Sequence, residues 1–131
     1  VMLQPTSPLR TKKNIIDSLE MLIKNKHDSV WSVSKTDTKY HPLKQFHINN
    51  NNLNYYDEDG KNIIARQQLN QLYHRNGVVY AITRDCLLNQ QSTKGTNTGA
   101  LLIEGNHVSI DTEWDFDLIE FIQSKTHENK N

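Results

Sequence analysis

The chain has 131 residues, the length of one domain, and we expect a single domain over residues 1–131. Its 15 basic and 15 acidic residues cancel, which excludes a protein that holds nucleic acid mainly through phosphates. No apolar run approaches a membrane span, and the opening residues lack the features of a signal peptide. We therefore expect no membrane partner. A single cysteine excludes an internal disulfide, which fits a cytoplasmic protein.

The first elements are a strand end and a helix. Val1 to Gln4 reads as the tail of a buried strand, and a loop punctuated by two prolines follows it. Thr11 is a good N-cap for a helix over about residues 12–25. Apolar residues recur at helical spacing and predict one buried stripe, formed by Ile15, Ile16, Leu19, Leu22 and Ile23.

The middle of the chain alternates strand and turn signals. Residues 29–34 alternate well enough for a strand, and residues 41–48 read as a turn that enters a second strand. Five asparagines among residues 49–54 predict a turn-rich, exposed excursion from the main sheet. Residues 66–73 fit either a helix or irregular structure.

The last third returns to strands and helices. We predict a buried strand over residues 78–82 behind an Asn76-Gly77 turn, a short helix over 84–89 and a strand over 100–103. Thr112 and the carboxylate three positions later predict a capped helix. Its buried residues should be Trp114, Leu118, Phe121 and Ile122, and the polar tail from Ser124 should fray. Strands that alternate with helices indicate an α/β architecture.

The segment LQPTSPLRT at residues 3–11 is the strongest functional signal, because open α/β sheets bind ligands at the carboxyl ends of their strands. It resembles the signature of the acylneuraminate cytidylyltransferases, also called CMP-sialic acid synthetases, which activate acidic nine-carbon sugars with CTP. Four further blocks follow in the order of that family: HPLK at 41–44, RQQL at 66–69, YHRNGVVY at 73–80 and SIDTEWD at 109–115.

The resemblance extends over nearly all of this chain but only to the C-terminal half of the family. It implies a partial nucleotidyltransferase sheet of Rossmann-like type that lacks its first strands. It also implies that about residues 41–70 form a small β excursion used for dimerisation. A homodimer would explain the hydrophobic fraction of only 35%, because a partner would complete the apolar face.

The resemblance also implies site residues. Gln4 matches a residue that hydrogen-bonds the sugar, and Asn76 and Tyr80 match a stretch that lines the sugar pocket. Arg10 has two open interpretations: a contact with substrate, or a structural pairing with a carboxylate near the helix start. Lys44 and Arg66 match basic residues that meet the acidic sugar or the phosphates, a role suited to cationic donors.

The metal site implied by the family is incomplete here. Asp111 matches one of two aspartates that hold a catalytic Mg²⁺, but the position of the other is Ser109. A neutral hydroxyl attracts a hard cation far less than a carboxylate does, so Mg²⁺ is a doubtful cofactor. The alternative for Asp111 is a carboxylate favoured by the positive end of the following helix.

No segment of the chain resembles the Gly- and Lys-containing loop with which the family cradles the CTP phosphates. CTP is therefore expected as a partner only if that loop is supplied elsewhere. Three hypotheses follow. The first is a truncated, dimeric protein that binds an acidic nine-carbon sugar without catalysis. The second is an active cytidylyltransferase when completed by a missing N-terminal half. The third is a dimeric interaction module without ligand chemistry.

Overall fold

A computed structural model describes residues 1–105 and 107–128. Its helices are α1 (Lys12–Lys24), α2 (Arg84–Leu88) and α3 (Glu113–Glu128), and its strands are β1 (Ser29–Lys35), β2 (Phe46–Asn49), β3 (Asn52–Tyr55), β4 (Tyr73–Ile82) and β5 (Thr98–Leu102). The chain divides into two compact units, a first unit formed by Val1–Ser34 with Arg75–Asn131 and a second unit formed by Lys35–His74. The expected excursion over residues 41–70 lies within the second unit.

The sheet of the first unit has three strands in the order β4-β1-β5. β1 and β5 are parallel, with Ser29 opposite Thr98 and Val33 opposite Leu102. The sheet is mixed, and the opening segment joins it through an antiparallel bridge between Met2 and Tyr80. This arrangement confirms the α/β class and is compatible with a partial Rossmann-like fold.

The core of the first unit lies between this sheet and α1. Buried aliphatic side chains from three strands and the residue after β5 form it: Val30, Val78, Val79, Ala81, Leu101 and Ile103. Met21 and Leu22 of α1 pack against this cluster. Side chains of the sheet and of α1 therefore pack together, and the opening segment is bridged to this packed sheet.

α1 begins where the sequence predicts, but it buries a different face. Thr11 and Asn14 form a reciprocal capping box at its start. Of the predicted stripe, Ile16, Leu19 and Ile23 are exposed, at 42%, 36% and 73%. The buried face centres instead on Ser18, whose small side chain lets the helix approach its neighbours closely.

α3 also differs from the prediction in its buried face. Trp114 and Phe121, predicted to be buried, are 73% and 59% exposed. The inward stripe consists of half-buried Leu118 and Ile122 around buried Ile119. The polar tail from Ser124 is helical as far as Glu128, and its expected fraying stays a prediction.

The opening residues pair with the sheet but are not buried. Val1, Met2 and Leu3 keep 59%, 43% and 41% of their surface exposed. The bridge at Met2 consists of two backbone hydrogen bonds to Tyr80, of 2.8 and 3.0 Å. A single bridge aligns the segment but covers little of its side chains, so the predicted buried strand end is wrong in its burial.

The second unit contains the antiparallel hairpin of β2 and β3. Asn50 and Asn51 at its tip have φ of 48° and 64°, values typical of a two-residue turn that asparagine tolerates. The asparagine-rich segment was predicted as an exposed excursion, and its residues are exposed. Its second half is nevertheless a strand, β3, because each residue pairs across the hairpin.

Among residues 1–105 and 107–128, no helix is long and apolar enough to cross a membrane.

Cys86 is fully buried, as a structural thiol should be, and its Sγ donates to the carbonyl of Ser92 at 3.1 Å. Burial raises the pKa of this thiol.

Candidate functional site

The segment from Gln4 to Arg10 folds into two consecutive turns between the Met2 bridge and α1. The Ser7 amide donates to the Gln4 carbonyl at 3.3 Å, and the Arg10 amide donates to the Ser7 carbonyl at 3.4 Å. Ser7 is buried, whereas the side chain of Gln4 is exposed. The turns therefore present the Gln4 amide to solvent beside the sheet.

The guanidinium of Arg10 fastens this segment to β4. Its Nε donates to the carbonyl of Val78, and its Nη2 donates to the carbonyl of Gln4. The two acceptors come from parts of the chain that are distant in sequence, and the half-buried side chain joins them. Of the two readings that the sequence left open for Arg10, this geometry favours the structural one, although its partners are carbonyls and not a carboxylate.

Gly77 provides the surface against which Gln4 lies. Its φ is 73°, a left-handed conformation that suits glycine. A Cβ at this position would lie 1.9 Å from Oε1 of Gln4 and 3.3 Å from Oγ of Ser7. The Gln4 amide thus occupies the space that any other residue at position 77 would fill.

Asn76 is hydrogen-bonded to the neighbouring strand. Its Oδ1 accepts from Ser32 Oγ at 2.6 Å and from the Val78 amide at 3.1 Å, and its Nδ2 donates to Ser34 Oγ at 2.9 Å. These bonds use both lone pairs of the amide oxygen and one of the two N–H groups. They also explain why the predicted turn at Asn76-Gly77 is wrong: the segment stays paired to β1 inside a longer strand.

Tyr80 lies in the sheet beside the opening segment. Tyr80 is 3% exposed, and its ring packs edge to face against the ring of Trp31, with 5.0 Å between the ring centroids. Trp31 is held in turn by a 2.8 Å hydrogen bond from its Nε1 to the carbonyl of Thr93. The aromatic pair therefore packs at the part of β4 that carries the bridge to Met2.

The residue before Asp111 connects this part of the chain to the Gln4–Arg10 turns. The Ile110 amide donates to the Thr6 carbonyl at 2.9 Å, so the segment before α3 runs beside the Gln4–Arg10 turns. Asp111 itself is exposed. Its backbone amide donates to Oδ2 of Asp115 at 3.1 Å.

Asp115 forms the predicted capping box with Thr112. Its Oδ2 accepts from the backbone amide and the hydroxyl of Thr112, both at 2.8 Å. The Thr112 hydroxyl is the main cause that lowers the pKa of Asp115, and the Asp111 amide adds to it. This carboxylate is therefore committed to starting the helix.

The donor set around Asp111 does not fit a Mg²⁺ ion held by the protein alone. Asp111 offers one exposed carboxylate, Ser109 offers a neutral hydroxyl, and Asp115 is engaged in capping. Within the described part of the chain, no three His, Cys, Asp or Glu side chains are grouped to hold a metal. That Asp111 forms part of a Mg²⁺ site, as the family resemblance implies, stays a prediction.

Lys44 and Arg66 share a neighbourhood in the second unit. Each belongs to a short 3₁₀ turn, Pro42–Lys44 or Arg66–Gln68, and both side chains are exposed. The backbone amide of Lys39 chiefly lowers the pKa of Asp37, and the positive charges of Lys39, Arg66 and Lys44 contribute. Neither Lys44 nor Arg66 forms an ion pair within residues 1–105 and 107–128.

The structure thus brings five of the predicted residues into one region of the first unit, namely Gln4, Arg10, Asn76, Tyr80 and Asp111. Lys44 and Arg66 form a separate group in the second unit. Three further residues hold Gln4 and Asn76 by hydrogen bonds and were not identified from the sequence: Ser7, Ser32 and Ser34. Ser32 and Ser34 alternate with apolar residues on a strand that is buried, and that signal could have revealed them.

Comparison with known proteins gives two relatives, while no protein-family model matches the chain. The chain is 29% identical over 129 residues to the Post-translational flagellin modification protein B of Campylobacter coli, covering 92% of this chain and 50% of that protein. It is 38% identical over 64 residues to a CMP-N,N′-diacetyllegionaminic acid synthase of Campylobacter jejuni, covering 48% of this chain and 27% of that protein. The chain therefore spans half or less of the curated relatives that it matches. At this identity and coverage, the relatives point to the cytidylyltransferase family that handles sialic-acid-like sugars.

Proposed function

We propose that this chain is the sugar-binding part of a CMP-nonulosonic acid synthase-like protein. It binds an acidic nine-carbon sugar and does not transfer CMP by itself. The observation that supports this most is the exposed Gln4 amide, held against Gly77 at the end of the opening segment. The similarity to a CMP-N,N′-diacetyllegionaminic acid synthase supports the choice of sugar class.

The chemistry of the first unit suits a polyhydroxylated, N-acylated ligand. A glutamine amide both donates and accepts hydrogen bonds, so Gln4 can pair with a hydroxyl or with an amide of the sugar. Asn76 keeps one N–H group beyond its bonds to the sheet. The contact between Gln4 and Gly77 limits where the sugar can approach.

The second unit suits the carboxylate of the sugar. Arg66 presents a planar fork that matches a carboxylate, and Lys44 adds a compact positive charge. We assign both to the acidic group of the sugar, contributed from a second copy of the chain as the family resemblance implies. The positive charges of both residues contribute to lowering the pKa of Asp37, which is consistent with one shared neighbourhood.

The reaction of a complete synthase would join the sugar's anomeric hydroxyl to the α-phosphate of CTP and release pyrophosphate. Nothing in this sequence resembles the loop that would hold the CTP phosphates. We therefore expect no pyrophosphate release from CTP and Mg²⁺ by the chain alone. Release that appears on adding a polypeptide with that loop would favour the second hypothesis, an active enzyme completed from elsewhere.

Calorimetric titration tests sugar binding. N-acetylneuraminic acid and N,N′-diacetyllegionaminic acid should each be titrated into the wild-type chain and into Arg66→Ala. We expect saturable binding of one of them and about a tenfold weaker Kd in Arg66→Ala, the loss of one charge-assisted contact. Lys61→Ala is the matched control, because Lys61 is a cation of the same unit that pairs with Glu58. Heat signals absent for both sugars would reject the proposal.

The hairpin of the second unit is the surface we propose for dimerisation. Phe46 faces Tyr55 and Ile48 faces Leu53 across the two strands, so all four side chains share one face. The rings of Phe46 and Tyr55 lie 5.0 Å apart, and Ile48 and Leu53 are 74% and 64% exposed. A two-stranded hairpin with such a face is only marginally stable in water, which favours a second copy as its cover.

Light scattering separates the remaining alternative, an interaction module without ligand chemistry. A dimeric mass together with absent sugar binding would favour that module. A dimeric mass with sugar binding agrees with the proposal. Asn49 lies on the opposite, polar face of the hairpin, so Asn49→Asp should leave the mass unchanged.

A further inference from the structure

The guanidinium of Arg10 uses one edge on two main-chain carbonyls. Nε and Nη2 lie on the same side of the planar group, and they donate to Val78 and Gln4 respectively. An edge with two parallel donors fixes two acceptors at a set spacing. A lysine at this position would offer one nitrogen and no such edge.

These two carbonyls flank the contact between Gln4 and Gly77. The acceptor on the opening segment is the carbonyl of Gln4 itself, and the acceptor on β4 is the residue directly after Gly77. A Cβ added at position 77 would lie only 1.9 Å from Gln4 Oε1, so the amide already lies against the Gly77 backbone and has little room to shift toward the strand. Arg10 therefore limits the backbone on both sides of this contact.

Ser7 adds a second tie between the same two segments. Its amide donates to the Gln4 carbonyl at 3.3 Å, and its buried hydroxyl lies 3.5 Å from the Asn76 carbonyl. These distances are long for strong hydrogen bonds. Arg10 consequently supplies the stronger tie, because its donors are charged.

We infer that Arg10 is a positioning residue: it makes no contact with the sugar and orients the Gln4 amide that does. This inference rests on the proposed function in one respect only, which is that Gln4 meets the sugar. It resolves the two readings of Arg10 in favour of a role that acts through another side chain. A direct contact between Arg10 and the sugar carboxylate is the competing explanation.

The first test needs no sugar. The side-chain amide resonances of Gln4, identified by their loss in Gln4→Ala, are followed by ¹⁵N NMR in the wild-type chain, Arg10→Met and Arg10→Lys. We expect both Arg10 variants to shift these resonances and to raise the mobility of the amide. Lys12→Met removes an exposed cation at the start of α1, close to Arg10 in the chain, and should leave the Gln4 resonances in place. Unchanged Gln4 resonances in Arg10→Met would overturn the inference.

The second test is a double-mutant cycle on sugar affinity. If Arg10 acts through Gln4, Arg10→Met weakens binding about tenfold in the wild-type chain and less than about twofold in the Gln4→Ala chain. An equal loss in both backgrounds means direct contact and rejects the inference. If Arg10→Met does not fold, Arg10→Lys gives the same cycle. If the wild-type chain binds no sugar, the proposed function fails, and the NMR comparison alone decides the role of Arg10.

Discussion

Asn76→Ala should destabilise the first unit strongly. The change removes three hydrogen bonds and leaves the buried hydroxyl of Ser32 without its acceptor and Ser34 without its donor. At about 1 kcal/mol for each bond, with a further penalty for buried groups left unpaired, the loss is about 2–4 kcal/mol. That is a large share of the 5–15 kcal/mol typical of a domain, and it lowers Tm by about 7–15 °C for a chain of this size.

Urea unfolding followed by tryptophan fluorescence measures this loss, since Trp31 lies on the strand that Asn76 contacts. The midpoint should fall and the slope should stay unchanged, because the surface exposed on unfolding is the same. Asn70→Ala is the control, an exposed asparagine of the second unit that should change stability by less than about 0.5 kcal/mol. A cycle with Ser32→Ala should show coupling. The reasoning would be refuted if the free energy of unfolding of Asn76→Ala lay within about 0.5 kcal/mol of the wild-type value and the cycle showed no coupling.

Three further predictions concern other parts of the chain. Gly77→Ala should cost about 1–2 kcal/mol in urea unfolding, because alanine resists a φ of 73°, and it should weaken sugar binding by displacing Gln4; unchanged affinity would contradict the assigned site. The pKa of Asp28 is lowered chiefly by the backbone amide of Asn97, so its contribution to stability is present above about pH 4 and is lost as pH falls through the lower folded pKa. Asp28→Asn should flatten the fall of Tm with acid in that range, and a fall as steep as in wild type would count against this account. Ile48→Asp should convert the expected dimer to a monomer in light scattering, and a wild-type chain that is already monomeric would remove the basis of that prediction.

The elements that the sequence predicts best are those defined by neighbours in the chain. The N-cap predicted at Thr11 and the capping box predicted at Thr112 depend on residues three positions apart, and both form. The buried faces of the helices depend on distant partners. Trp114 follows an apolar period and yet stays exposed, because the packed stripe is centred on Ile119. A period shows that a helix has an apolar side, but several neighbouring phases satisfy it.

The arrangement at the site was predictable only in part. Gln4 was identified from a motif at the end of a strand, and Asn76 and Tyr80 from a second motif. The acceptors of Arg10 are backbone carbonyls, one of them 68 positions away, and a carbonyl has no sequence signal because every residue carries one. The sugar-binding roles themselves stay predictions until the titrations are made.

The division of the first unit into Val1–Ser34 and Arg75–Asn131 sets an order of events on the ribosome. β1 is made before β4 and has to wait for it, and at about 5–20 residues per second the intervening second unit takes about 2–8 s to be made. The hairpin can close during that interval, since its pairs are local in sequence. β1 meanwhile lacks its neighbours β4 and β5, and its serines at positions 29, 32 and 34 make it less prone to aggregate than an all-aliphatic strand. Two of these three hydroxyls, those of Ser32 and Ser34, later bind Asn76, so the same groups serve both the nascent strand and the folded sheet.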